Sequence, residues 1–259
     1  MIPDDQDDIS ISTLPIGWRA DADNDAAAAQ FNALAQELAR LEERSSRRVH
    51  VDLEPEPGCA IDTALDLCRF FELLDDSSRR HIGVCHDMCH SAVMFESQRD
   101  ALTTYAANNI ALGKVQVSNC PQVNFDSLDE EERLAARAML ERFVEPRYLH
   151  QTCVRNADGR VRFFEDLPDG LAACESNGCW RVHFHVPIFA ATLGAIDTTQ
   201  SQLLDCLAAL GPTPTTLEVE TYAWNVLPSG LFADDLAGGI TQELRWLTEQ
   251  LESQRGVST

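Results

Sequence analysis

The sequence predicts an α/β protein built as a TIM-type (β/α) barrel. Three observations carry this expectation: short β-like runs alternate with longer helical ones, several strands place polar residues at every second position, and those polar residues gather towards strand C-terminal ends. A chain of 259 residues fits, since such barrels commonly run to about 250 residues.

The elements follow in order. The first strand, ISISTLPIG, spans 9–17. A helix is expected over 24–45, capped by Asn24 or Asp25, with an alanine run and an apolar stripe of Phe31, Leu34, Leu38 and Leu41. Strand RVHVDLE at 48–54, a helix at 61–74, strand HIGVCHD at 81–87 and a helix near 97–108 continue the alternation. After strand KVQVS at 114–118, Ser127 with Glu130 reads as a capping box that opens a helix running to Phe143. The stretch 147–167 reads as a hairpin turning on Asn156–Gly159. Strand WRVHFHVPIF at 180–189, a helix at 200–210, strand TLEVETYAW at 216–224 and a helix at about 235–252 complete the chain. About six core strands and a hairpin fall short of the eight that close a barrel. The expected architecture is therefore one barrel domain over 1–259, with an inserted hairpin at about 147–167 and an incomplete N-terminal side.

Composition narrows the function classes. The formal net charge is −22, from 20 basic and 42 acidic residues, which disfavours a nucleic-acid partner because phosphates are bound by Lys and Arg. No apolar run approaches the roughly 18 residues needed to span a bilayer. The opening MIPDDQDDISIS carries four aspartates and no basic residue, the reverse of a secretory leader, so a cytoplasmic location is expected. Nine cysteines, an odd number without a Cys-x-x-Cys pair, read as reduced thiols serving mostly as small core residues.

Strand parity points to a site. In VHVDLE, Val49, Val51 and Leu53 share one face while His50, Asp52 and Glu54 share the other. Gln116, the pair His183 and His185, and Glu220 fall on corresponding polar faces. An antiparallel sheet with one solvated face would give the same alternation. The helices between the strands favour parallel crossovers instead, and then the polar face is a barrel lumen. Buried charges need partners or a metal, and several strands each deliver an acidic or imidazole group to the same end. Asp87 and His90, three apart in CHDMCH, can turn to one centre, and His183 and His185 face the same way. The candidate ligands are Glu54, Asp87, His90, Gln116, His183, His185 and Glu220. Carboxylate with imidazole suits Zn or Mn, and a ligating Gln116 tilts the set towards Mn or Mg. His50 and His81 read as structural.

The order of Glu in LEPEPG, Asp-x-x-His in GVCHDMCH, Gln116, His-x-His in WRVHFH and Glu in LEVET resembles the xylose isomerase-like superfamily. That superfamily contains sugar isomerases, epimerases and endonuclease IV-type enzymes. The segments STLPIGW, DLEPEPGC, VSNCP, LHQT, WRVHFHVP and VETYAWNVLP are similar to the EboE group of metabolite traffic proteins. Gln116 departs from the pattern, standing where many relatives carry a histidine. The resemblance implies a metal-dependent isomerase or epimerase acting on a sugar, sugar phosphate or cyclitol, with Glu54 and Glu220 as base and acid. It leaves His150 and Arg181 as outer residues for substrate hydroxyl or phosphate groups. The alternatives are a metal-dependent phosphoester hydrolase and a non-catalytic carrier of such a metabolite.

Overall fold

A computed structural model of the protein describes residues 7–173, 176–210, 215–220, 222–232 and 235–256. Residues 1–6 of the acidic start, and Thr221 within the strand expected at 216–224, lie outside the described residues. In chain order the elements are β1 (Asp8–Thr13), α1 (Asn24–Ser45), β2 (Arg48–Leu53), α2 (Ala64–Phe71), β3 (Ile82–Asp87), α3 (Met88–Val93), α4 (Gln98–Ala107), β4 (Leu112–Val117) and β5 (Pro121–Asn124). There follow α5 (Glu130–Glu141), β6 (Thr152–Arg155), β7 (Val161–Phe164), α6 (Leu167–Ala173), β8 (Cys179–Val182), β9 (Thr192–Leu193), β10 (Ile196–Thr198), α7 (Gln200–Ala209), β11 (Thr216–Val219) and α8 (Leu236–Gly256). They group into two compact units.

The first unit holds β1 to β4 and β11 with α1, α2 and α4. Its sheet has the order β1-β2-β3-β4-β11. β1, β2, β3 and β4 run parallel, with Val51 opposite Ile82 and Asp87 opposite Gln116. Val51, Leu53, Ile82 and Val84 pack with Leu67, Phe70, Phe71 and Tyr105 in the core. Burying each large apolar side chain contributes about 1.5–3 kcal/mol. α1 spans the expected 24–45, but its cap is Asp23 and not Asn24 or Asp25; the Asp23 carboxylate accepts from Ala26 N at 2.9 Å. The opposite face of the sheet carries a wholly buried carboxylate, Asp52, which accepts from Ser10 Oγ and lies 2.9 Å from His50 Nδ1. Glycine is required on β3 and β4: a Cβ at Gly113 would sit 2.2 Å from Asp52 Oδ2, and one at Gly83 would sit 2.4 Å from Oδ1.

The second unit is antiparallel, with strand order β7-β6-β8-β5-β10-β9. Cys153 and Gln122 both lie in register with Arg181, on the strands either side of β8. One face packs Val123, Val154, Trp180 and Val182 against Phe125, Leu140 and Phe143. α5 is opened by a capping box of Asp129 and Glu132, two residues beyond the expected pair, with both reciprocal bonds at 2.9 Å.

The TIM barrel expectation is therefore corrected to a mixed α/β fold: a five-stranded sheet on one unit and a six-stranded antiparallel sheet on the other. The error has a local cause. β5, PQVN, is too short to show an alternation, yet it pairs antiparallel with β8 and β10. With β5 unseen, WRVHFHV looked like a strand reached by a helical crossover. β8 ends at Val182, so His183 and His185 stand on irregular backbone just past the strand. Their alternation belongs to an antiparallel sheet and its exit loop, which is the alternative that parity alone had left open. No helix among the described residues is long and apolar enough to cross a membrane.

Candidate functional site

In the second unit, two segments distant in sequence bring sulfur and imidazole together. α3 carries Cys89 and His90, and the loop after β8 carries His183 and His185. All four side chains are buried. One ligand atom each from Cys89, His183 and His185 lies within 4.8 Å of the other two, a spacing that can hold a metal ion. His90 Nε2 is 2.9 Å from His183 Nε2, and the two rings meet edge to face with centroids 4.4 Å apart. The His183 and His185 rings are 5.4 Å apart.

Each group is held from behind. The backbone N–H of Cys89 donates to Ser118 Oγ at 2.8 Å. The N–H of His183 donates to Gln151 O at 2.8 Å, and its Nδ1 lies 2.7 Å from Gln151 Oε1. An amide oxygen only accepts, so Nδ1 carries the proton and Nε2 presents its lone pair towards His90. Burial, followed by the neighbouring His90, His185 and His150, pushes His183 well below the usual imidazole range. It is therefore neutral, the form that binds metals. His185 Nδ1 is 3.4 Å from Glu220 Oε2, which joins a carboxylate to the edge of the cluster.

The loop itself is pinned by α8. The buried carboxylate of Glu243 accepts from Ile188 N at 3.1 Å and from Trp224 Nε1 at 2.7 Å. Desolvation raises its pKa above the usual carboxylate value. No family model matches this chain, and no curated protein matches it. The geometry thus carries the assignment.

The remaining sequence candidates divide between the units. Glu54 directly follows β2, while Asp87 ends β3 and faces Gln116 on β4, so the three stand at C-terminal ends of adjacent strands of the first unit. Gln116 Oε1 is buried and has no hydrogen-bond partner among the described residues, which suits an oxygen ligand. His150 and Arg181, expected to meet substrate, are engaged by protein groups. His150 lies 3.2 Å from His183 O through Nδ1 and 3.2 Å from Glu145 Oε1 through Nε2. Arg181 donates to Gln122 Oε1 at 2.7 Å and Ala92 O at 2.6 Å, with Phe95 4.3 Å from its guanidinium. It clamps β8 to α3 and so fixes Cys89 and His90 relative to the loop. Sequence reading missed Cys89 and Gln151. Cys89 adjoins His90 in CHDMCH, the one signal that marks it; Gln151 follows His150 in LHQT.

Proposed function

We propose that the second unit binds one divalent metal ion, zinc by preference, through Cys89, His183 and His185, and serves proton transfer on a sugar or cyclitol metabolite. The observation that carries this reading is the convergence of those three ligand atoms, all from buried side chains, within 4.8 Å. A thiolate in the set favours zinc over the Mn or Mg that a carboxylate and amide set would favour. A set of three protein ligands is also the kind that catalytic zinc sites use. A bound ion of this kind supplies an electrophile for a carbonyl or hydroxyl oxygen.

The chain's own groups supply the proton chemistry. Glu220, part-exposed and 3.4 Å from His185, can take a proton from a carbon beside that oxygen. His90, beside His183, can move one at the oxygen. The resemblance of Asp87-x-x-His90 and His183-x-His185 to the xylose isomerase-like superfamily, and of segments such as DLEPEPGC and WRVHFHVP to the EboE group, supports a polyhydroxylated substrate. The net charge of −22 weighs against the hydrolase of DNA phosphoesters.

The test uses the full chain, zinc-loaded, in heavy water with a panel of ketoses and inososes. Deuterium should enter at the carbon beside the carbonyl, and Glu220→Gln should slow this by about 100-fold or more while zinc stays bound. Equal exchange in wild type and variant would remove Glu220 from the chemistry. Bound zinc without exchange on any substrate would favour the carrier.

A further inference from the structure

The first unit contains a cavity of about 490 Å³ at the N-terminal ends of its strands. Arg48, Arg79, Arg80 and His50 line it, against one carboxylate, Asp8, and with hydroxyls from Ser10 and Thr216. In a chain with twice as many acidic as basic residues, 42 against 20, three arginines around one cavity are a local reversal of charge. The cavity size falls within the roughly 300–1,000 Å³ range of small-molecule sites.

The arginines are fixed in different ways. Arg48 pairs with Asp8, and Arg80 with Glu42. Arg79 is anchored by neutral acceptors, Phe71 O at 2.9 Å and Asn108 O at 3.2 Å, and its guanidinium sits 5.6 Å from the centre of the Phe71 ring. The carboxylate of Asp76 is 3.9 Å away and fully exposed. Backbone carbonyls orient a guanidinium without neutralising it, so the charge of Arg79 is less compensated than that of Arg48 or Arg80. The floor is rigid as well. Asp52 holds both Ser10 and His50, and the glycines at 83 and 113 leave no slack around it. A packing fault would be lined by apolar groups. This cavity is lined by charged and hydroxyl groups as well as by Ile82, Ala111 and Leu112.

We propose that the cavity binds a small phosphorylated metabolite, its phosphate held by Arg79 with Arg48 and Arg80, and its hydroxyls by Ser10, His50 and Thr216. A planar guanidinium matches a phosphate through paired N–H donors, which an ammonium cannot reproduce. The site is separate from the metal centre, because every residue lining it belongs to the first unit.

Inorganic phosphate is the first probe, titrated calorimetrically into the full chain against chloride of equal ionic strength. Saturable binding of phosphate but not chloride is expected, weakened at least tenfold in Arg79→Gln. Arg48→Gln, at a half-buried position, provides a second variant should the first fold poorly, and it should weaken binding too. No saturable binding overturns the proposal. So does binding that survives both arginine variants, or that disappears in His183→Ala, since the anion then sits elsewhere or at the metal centre.

Discussion

The Gln151 amide oxygen takes the Nδ1 proton of His183 at 2.7 Å and thereby leaves Nε2 as the nitrogen of that ring able to bind a metal. Partners of this kind typically tune metal affinity by 10- to 100-fold. Gln151→Leu should therefore weaken zinc binding by about that factor, read by competition with a chromophoric chelator, while the fold persists. Unchanged affinity would mean that the tautomer is set by something else. At this scale the sequence was informative about imidazoles and poor about their supports. His-x-His announces itself by its spacing, but a cysteine among nine has no signature, and Cys89 read as a small core residue. His150 and Arg181 were legible as polar groups near strand ends. What holds them, including Ala92 O for Arg181, lies far away in sequence and only folding brings it near.

Elements with strong local chemistry were legible, and short ones were not. α1 and α5 follow from capping residues and apolar stripes, with caps displaced by one or two positions. β5, β9 and β10 have four residues or fewer and no room for a pattern, and missing β5 turned an antiparallel sheet into an expected barrel. The N-terminus of α2 shows how an element stores a pH dependence. Asp62, just before the Thr63 cap, is desolvated and bonded to Asp66. These effects outweigh the Arg19 guanidinium 2.5 Å away and push Asp62 up to about 6 from an ordinary 3.8. The folded state then binds more protons than the unfolded state between about pH 4 and pH 6. Stability from this group is present below that window and is lost as pH rises through it. In urea titrations at both ends of the window, Asp62→Asn should remove on the order of 2 kcal/mol of the wild-type decline. A variant with the wild-type pH slope would contradict this.

On the scale of the whole molecule, two units with different sheets carry two different collections of polar groups. The parallel sheet buries Asp52 above an arginine-lined cavity, and Glu54, Asp87 and Gln116 stand at the other ends of its strands. The antiparallel unit presents sulfur and imidazole donors on a helix and a loop. In the parallel sheet β2 is regular, and His50 and Asp52 meet on one face as their alternation implies, but that face is not the lumen of a barrel. The parity argument reached His183 and His185 through a strand that in fact ends before them. The central claim concerns the second unit, and X-ray absorption at the zinc edge of the zinc-loaded full chain tests it most directly. The account expects one ion per chain with one sulfur and two imidazole nitrogens, the sulfur shell vanishing in Cys89→Ser and the ion lost in His183→Ala. A shell of oxygens alone, or a spectrum unchanged by both substitutions, would contradict it.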